Sequence, residues 1–214
     1  MSQRNSIKNS YTFKYILVGD SAVGKTKIAY RFQNDEFSNK YTVTLNLSFT
    51  NKVIEVDGES IKINLCDTAG DEKFRGIMAT NYKNSICILF VYDITKLDTF
   101  QNIKNWKDEV SRYANENKIF VLVGNKSDLE ENREIKTEEG QEFAEKNNML
   151  FFETSALNGN NIQELFNQTA KIILDNIHKS KYFLDDDTCG IIAEKINTSK
   201  DIKDPDPCSS CNIF

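Results

Sequence analysis

The sequence predicts an α/β domain with a six-stranded, mostly parallel sheet, one antiparallel edge strand and about five helices on both faces. Continuous apolar runs are typical of strands buried on both faces of a parallel sheet. The chain has three strong runs and a weaker fourth, at 15–18, 86–92, 119–123 and 149–153. Between and after them, apolar residues recur every three or four positions, as in amphipathic helices, at 100–113 and 162–177. Strand followed by helix, repeated along the chain, indicates right-handed crossovers between parallel strands.

The antiparallel edge strand is predicted from a hairpin. Residues 47–56 and 60–66 are both strand-like, and the second segment alternates apolar and polar positions through Ile61, Ile63 and Leu65. Asp57-Gly58, between the two segments, is a favoured two-residue turn. Such a turn reverses the chain, so the first of the two strands is expected to run antiparallel to the rest.

Length and charge exclude several classes of protein. The 214 residues are enough for one domain with a sizeable core, and the formal charge of -5 argues against a nucleic-acid-binding protein. No apolar run approaches the roughly 18 residues of a membrane span, and the polar N-terminus lacks the apolar stretch of a secretory signal. We therefore expect a cytoplasmic protein. The one histidine, His178, argues against Ser-His or Cys-His catalysis.

Three regions are expected along the chain. The apolar patterns predict a folded domain at 11–179, preceded by a flexible N-terminus at 1–10. After residue 179 the periodicity fades and polar residues dominate, so we expect 180–214 to be a mostly disordered tail.

The stretch "GDSAVGKT" at 19–26 matches the phosphate-loop pattern G-x-x-x-x-G-K-[ST]. It lies between the first predicted strand and a helix. There, the two glycines let backbone N–H groups face phosphates, and the helix N-terminus adds partial positive charge. Lys25 is expected to reach the β- and γ-phosphates, and the Thr26 hydroxyl to ligate Mg²⁺. The residues predicted to contact the nucleotide here are Ser21, Ala22, Val23, Gly24, Lys25, Thr26 and Lys27.

A base pocket is predicted from "GNKSD" at 124–128, which ends the 119–123 strand, where open α/β sheets bind ligands. The Asp128 carboxylate can accept two hydrogen bonds, and guanine presents two adjacent donors, N1–H and the 2-amino group, whereas adenine has no such pair. Asn125 can link this loop to the phosphate loop, and the Lys126 stem can cover one ring face. After the next strand, backbone N–H groups that can contact the guanine carbonyl oxygen belong to Ser155, Ala156 and Leu157.

Residues 11–178 resemble the small GTPases of the Ras superfamily, and details within them are similar to the Rab family. The stretches that carry the resemblance are "GDSAVGKT", "EVDG" at 55–58, "DEKFRGI" at 71–77, "VYDIT" at 91–95 and "GNKSDL" at 124–129. The resemblance implies a P-loop GTPase G domain that binds GTP or GDP with Mg²⁺ and acts in vesicle traffic. It also implies two switch segments that close only while the γ-phosphate is present.

The resemblance assigns roles to further residues. Phe37 would border the guanine, and Tyr41 would lie over the phosphates. The Mg²⁺ ligands would be Thr26, Thr44 and, through water, Asp67. The Gly70 N–H would meet the γ-phosphate. The residues implied to take part in hydrolysis are therefore Lys25, Thr44, Gly70 and Asp71.

Four positions depart from the Rab pattern. Rab proteins usually have glycine in place of Asn46, tryptophan in place of Cys66 and lysine in place of Leu157. The first two lie where Rab effectors bind. Asp71 stands where the family has the glutamine that positions the attacking water. A carboxylate there can accept a hydrogen bond from the water but cannot donate one to the phosphate, so we expect slow intrinsic hydrolysis.

The chain ends in Cys211-Asn212-Ile213-Phe214, which fits a prenylation box whose terminal phenylalanine favours geranylgeranyl. Cys208 is a candidate for a second lipid, because acidic residues outnumber lysines in the tail and no basic patch supports a single chain. We expect a monomer that cycles between the cytosol and the cytosolic face of an internal membrane. The expected partners are an exchange factor, a TBC-type GTPase-activating protein, effectors, and prenyl-carrier or dissociation-inhibitor proteins.

Two other functions compete with this interpretation. A phosphate-loop kinase or ATPase would need an acceptor pocket and should lack the N-K-x-D motif. A GTP-bound scaffold that recruits effectors but barely hydrolyses GTP is the second alternative, and Asp71 favours it. Single-turnover hydrolysis separates the scaffold from the switch.

Overall fold

The computed structural model describes residues 9–37, 48–68, 75–114, 117–182 and 189–195, with the backbone alone at 9–10, 75–77 and 194–195. Within these residues, seven strands form one sheet. They are β1 (Asn9–Val18), β2 (Ser48–Val56), β3 (Glu59–Asp67), β4 (Cys87–Asp93), β5 (Ile119–Asn125), β6 (Leu150–Thr154) and β7 (Ile191–Lys195). Six of them follow the order β2-β3-β1-β4-β5-β6, and β7 pairs with β1.

The sheet is mostly parallel, as predicted. Strand β1 is its centre and pairs in parallel with β3 and β4, and β5 and β6 continue the parallel set. Strand β2 is the antiparallel edge strand, joined to β3 by the predicted two-residue turn. Asp57 and Gly58 have φ values of 49° and 82°, the left-handed conformation that such hairpin turns require.

Helices cover both faces of the sheet. They are α1 (Lys25–Asn34), α2 (Arg75–Lys83), α3 (Leu97–Gln101), α4 (Ile103–Ser111), α5 (Thr137–Lys146) and α6 (Ile162–His178), with a 3₁₀ turn at Glu130–Asn132. The single helix predicted across 100–113 is divided at Asn102 into α3 and α4. Helix α4 ends at Ser111, two residues before the predicted end, and Tyr113 is 46% exposed. None of the described helices is long and apolar enough to cross a bilayer.

Successive side chains of the central strands point alternately to the two faces of the sheet and pack into two separate hydrophobic cores. Leu89 and Val91 of β4 point to one face, where they pack with side chains of α1 and α6. Ile88 and Phe90 point to the other face, where they pack with side chains of α2, α4 and α5. All seven residues of β4 are buried, which explains why its sequence is continuously apolar rather than alternating.

The seventh strand corrects two predictions. The sheet has seven strands rather than six, and residues 189–195 of the expected disordered tail are ordered against β1. The physical reason is the length of β1, which begins at Asn9, before the predicted domain boundary. Because β4 pairs only with its second half, from Tyr15 onward, the first half offers backbone donors and acceptors to another strand, and β7 pairs with them.

Gly190 allows β7 to approach the sheet. Its carbonyl accepts a 2.9 Å hydrogen bond from the Lys14 N–H, and its φ is 79°. A Cβ atom at this position would lie 2.4 Å from the Ile86 backbone nitrogen. The close approach therefore excludes every residue with a side chain at position 190. The next residue, Ile191, is only 3% exposed and packs in the core.

We predict that Gly190→Ala detaches β7, because the backbone of residues 84–86 that the new methyl group meets cannot yield as a side chain would. Gly58→Ala is the matched control: its φ is also positive, 82°, but its Cβ would meet no atom within 4 Å. Both variants carry the cost of positive φ, about 1 kcal/mol. Only the Gly190 variant should also show fast amide exchange throughout β7, measured by hydrogen–deuterium exchange. Equal exchange in the two variants would contradict this account of β7.

Candidate nucleotide-binding site

The phosphate loop runs from the end of β1 to the start of α1, and its two glycines are required by their neighbours. Gly19 has a φ of 144°, and a Cβ there would lie 2.2 Å from the Val91 carbonyl oxygen of β4. Gly24 has a φ of 103°, and a Cβ there would lie 2.2 Å from the Asn125 side-chain nitrogen. Ala22 between them also has positive φ, 64°. The loop is thus tightly curled and packed against the ends of β4 and β5.

Lys25 is buried beneath this loop, with 5% of its surface exposed. Its ammonium donates to the carbonyl oxygens of Gly19 and Asp20, at 2.8 and 2.7 Å. Burial lowers its pKa to about 8, against the opposing effect of the Asp67 and Asp20 carboxylates. A nearby anion would favour the charged form of this ammonium. Its position fits the predicted contact with phosphates.

Two of the predicted Mg²⁺ ligands lie side by side. The Thr26 hydroxyl at the start of α1 donates to an Asp67 carboxylate oxygen at the end of β3, 2.6 Å away. Asp67 is 1% exposed, and the neighbouring Thr68 is anchored by a 2.7 Å hydrogen bond from its hydroxyl to the Leu17 carbonyl of β1. A hydroxyl and a carboxylate are oxygen ligands of the kind that Mg²⁺ prefers, so these residues fit the ion.

Asn125 joins the phosphate loop to the predicted base pocket. Its side-chain N–H donates to the Val23 carbonyl oxygen at 2.8 Å, and its side-chain oxygen accepts a hydrogen bond from the Thr154 hydroxyl at 3.3 Å. The side chain is 1% exposed. The link between Asn125 and the phosphate loop that the sequence predicted is confirmed, and it extends to the last residue of β6, Thr154.

Lys126 is held by Asp93, a residue that the sequence analysis did not assign to the site. The Lys126 ammonium lies 2.5 Å from a carboxylate oxygen of Asp93, at the end of β4. Burial would raise the pKa of Asp93, but hydrogen bonds from Lys126 and Thr95 outweigh burial and hold it below its usual value. Because the ammonium is fixed, the aliphatic stem is held in place beside the base pocket. The sequence feature that could have predicted this role is the position of Asp93 at the carboxyl end of β4, the strand next to β5.

The base-contacting loops meet at Asp128 and Ser155. The Ser155 hydroxyl donates to an Asp128 carboxylate oxygen at 2.5 Å and accepts a 3.3 Å hydrogen bond from the Asn158 N–H. From α1, the Arg31 guanidinium binds the carbonyl oxygens of Ala156, at 2.9 Å, and Leu157. These contacts do not use the backbone N–H groups of Ala156 and Leu157, whereas the Ser155 N–H donates to the Asn160 carbonyl oxygen at 3.1 Å, so the predicted contact from Ser155 to the guanine oxygen would compete with that hydrogen bond.

The described part of the predicted site therefore lies along one edge of the sheet. Phe37 packs partly buried against the core that α1 and α6 share, with the Lys27 ammonium 5.5 Å from the centre of its ring. Cys66, one of the departures from the Rab pattern, is buried beside Asp67, and burial raises the pKa of its thiol to about 12. Outside the described residues lie Tyr41, Thr44, Asn46, Gly70, Asp71, Cys208 and Cys211.

This fold and site define a phosphate-loop nucleotide-binding domain, with a buried lysine at the phosphate end and a carboxylate at the base end. The chain belongs to the Ras family, whose family model matches residues 14–175. It is 39% identical over 181 residues to "Ras-related protein RABA4b" of Arabidopsis thaliana, covering 85% of this chain and 81% of that protein. It is 38% identical over 186 residues to "Ras-related protein Rab-2B" of Dictyostelium discoideum, covering 87% and 92%.

Family membership confirms the resemblance read from the sequence. The chain is a Rab-type small GTPase, a class of guanine-nucleotide-binding switch associated with vesicle traffic.

We predict that Asp128→Asn weakens GTP binding about ten- to a hundredfold, because a mispaired polar contact in a binding pocket costs about 1–3 kcal/mol. The same variant should gain affinity for xanthosine triphosphate, because an amide can donate to the oxygen that replaces the 2-amino group of guanine. Equilibrium binding of both nucleotides tests this, with the exposed carboxylate of Asp108 changed to asparagine as the matched control. Wild-type affinity for GTP in Asp128→Asn would show that Asp128 does not read the base.

Proposed function

We propose that this chain binds GTP with Mg²⁺, hydrolyses it slowly without a partner, and acts as a membrane-recruited switch in vesicle traffic. One observation carries the proposal: the hydrogen bond from Asn125 to the Val23 carbonyl, 2.8 Å long, joins the phosphate loop to the loop that contains Asp128. A single ligand with phosphates at one end and guanine at the other spans these two loops. This arrangement accounts for one bound nucleotide. A kinase would also need a pocket for the substrate that accepts the phosphate.

At the phosphate end, the residues bind and orient the substrate. The Lys25 ammonium supplies positive charge to the β- and γ-phosphates, and the N-terminus of α1 adds its partial positive charge. Mg²⁺, held by Thr26, Thr44 and Asp67, would neutralise phosphate charge. Burial of Lys25 and Asp67 keeps water from screening these charges.

The switch itself is proposed for the segments that contain Thr44 and Gly70, which lie outside the described residues. Thr68 fixes the start of the second segment to β1. Contacts from both segments to the γ-phosphate would be lost on hydrolysis, and effectors would distinguish the two states. An exchange factor would load GTP, and a GTPase-activating protein would end the signal.

Asp71 sets the proposed rate of hydrolysis. A glutamine amide can bridge the attacking water and the γ-phosphate, whereas a carboxylate only accepts hydrogen bonds and adds like charge. Two like unit charges about 5 Å apart repel by roughly 3 kcal/mol at an effective dielectric of 20. A TBC-type activating protein supplies its own glutamine and arginine, so hydrolysis on contact with such a partner survives Asp71. If it did not, the chain would be the GTP-bound scaffold.

Membrane recruitment is proposed to depend on the C-terminal cysteines. Prenylation of Cys211 would add one lipid, which by itself gives marginal binding, and Cys208 would provide a second attachment point. Prenyl-carrier and dissociation-inhibitor proteins would shield the lipid during transit through the cytosol. Strand β7 belongs to the sheet of the domain, so the segment that contains the two cysteines follows β7 in the sequence rather than α6.

We predict that Asp71→Gln speeds intrinsic GTP hydrolysis at least about tenfold, which corresponds to roughly 1.4 kcal/mol of barrier. Single-turnover hydrolysis of preloaded GTP, with and without a TBC-type activating protein, is the measurement. Asp71→Asn is the matched control, because it removes the charge and restores a donor but is shorter than glutamine. Equal intrinsic rates for wild type and Asp71→Gln would refute the claim that Asp71 impairs catalysis.

We also predict that Cys211→Ser moves the protein from membranes to the soluble fraction, whereas Cys208→Ser retains weak membrane association. Fractionation of cells combined with mass spectrometry of the mature C-terminus tests this. Cys189→Ser is the control, because this cysteine is half-buried beside β7. Membrane-bound protein that ends in an intact, unlipidated Phe214 would overturn the anchor.

A further inference from the structure

The carboxylate of Asp20, in the phosphate loop, is bound by two side chains from the α3–α4 region, which the sequence analysis did not assign to the site. One of its oxygens accepts a 2.7 Å hydrogen bond from the indole N–H of Trp106, and the other accepts a 2.8 Å hydrogen bond from the side-chain N–H of Asn102. Trp106 lies in α4, and Asn102 is the residue between α3 and α4. We call these three residues the α4 bridge.

The placement of the two donors follows from helix geometry. Asn102 keeps helical dihedral angles, with φ of −69° and ψ of −16°, so Trp106, four residues on, lies directly above it on the same face. Trp106 is 8% exposed, and a buried indole N–H requires an acceptor. Asp20 provides that acceptor. The bridge therefore satisfies both the carboxylate and the indole.

The negative charge of Asp20 would oppose phosphate binding if the carboxylate turned toward the nucleotide. The indole of Trp106 and the amide of Asn102 are both neutral. They orient the Asp20 carboxylate without a hydrogen bond from its oxygens to the Lys25 ammonium. The carbonyl oxygen of Asp20 accepts a hydrogen bond from the Lys25 ammonium at 2.7 Å. One residue is thus held through its side chain by α4 while its backbone holds the lysine.

The loop has a reason to need such support. Gly19, Ala22 and Gly24 all have positive φ, a conformation that is costly for alanine and that surrounding contacts must maintain. Asn125 holds the loop near its C-terminal end through the Val23 carbonyl. The α4 bridge holds its N-terminal end.

We propose that the α4 bridge positions the phosphate loop and thereby slows nucleotide release. Trp106 and Asn102 act as positioning residues: they fix Asp20, whose carbonyl orients Lys25, and neither is assigned a contact with the ligand. The inference rests on guanine-nucleotide binding by this chain. Because Trp106 is the one tryptophan in the sequence, its fluorescence reports directly on the bridge.

The test is the dissociation rate of a fluorescent GDP analogue from Trp106→Phe, which keeps an aromatic ring and removes the N–H. We expect dissociation about tenfold faster than in wild type, and similarly faster in Asp20→Asn, with the double variant no worse than the single ones. Asn102→Ala, at a half-buried position, provides a second test that does not depend on the fold tolerating a change at Trp106. Lys104→Gln, exposed on α4, is the matched control and should release GDP at the wild-type rate.

A second readout separates positioning from general loosening of the domain. The ratio of GDP to inosine diphosphate affinity depends on the base pocket at Asp128, so it should stay at the wild-type value in all three bridge variants. A fall in this ratio, additive effects in the double variant, or wild-type release rates in both Trp106→Phe and Asn102→Ala would overturn the inference. Failure of wild-type protein to bind GDP would instead overturn the proposed function.

Discussion

The buried ammonium of Lys25 is the constraint around which the site is built. Removing an isolated charge from water costs several kcal/mol, and the protein compensates with two carbonyl oxygens from the loop that curls over it. These carbonyls belong to a loop that has positive φ at Gly19 and Gly24. The ends of β1, β4 and β5 must then come close enough to support it. In the proposed function, a triphosphate would complete this compensation, so nucleotide binding and loop conformation would depend on the same charge.

The parallel sheet brings the required groups together because all its parallel strands end at one edge. Strand β3 ends in Asp67, β4 ends in Asp93 and β5 ends in Asn125. Each side chain is 1% exposed and each contacts a different neighbour: Thr26, Lys126 and Val23. Helices α1 and α4 then hold the loops from opposite faces, through Arg31 and the α4 bridge. The loops proposed to bind phosphate and base are consequently joined in one network of hydrogen bonds.

The departures from the Rab pattern fall on different physical roles. Leu157 is 49% exposed and contributes its carbonyl oxygen to Arg31, so the loss of a lysine side chain leaves the loop held as before. Cys66 is buried in β3. The tryptophan that Rab proteins usually have there is larger, so the surface beside β2 differs in shape from that of a typical Rab protein. Phe49 on β2 remains 60% exposed. Leu157 and Cys66 thus depart from the Rab pattern without removing a described contact of the phosphate or base loops, and Cys66 and Phe49 give the face of β2 and β3 its own chemistry.

The sequence by itself predicted the parallel strands, the β2–β3 hairpin and the two loops that contain Lys25, Thr26, Asn125 and Asp128. Continuous apolar strands and short glycine-containing loops are local signals, and the motif spacing fixes which strand ends carry them. Tertiary structure alone decided that Asp93 holds Lys126, that Trp106 and Asn102 hold Asp20, and that β7 completes β1. Each of these contacts joins segments far apart in the chain: side-chain polar groups in the first two cases, and backbone groups of two strands in the case of β7. They exist because folding leaves a buried donor, acceptor or strand edge that must find a partner, and only the assembled fold shows which residue is within reach.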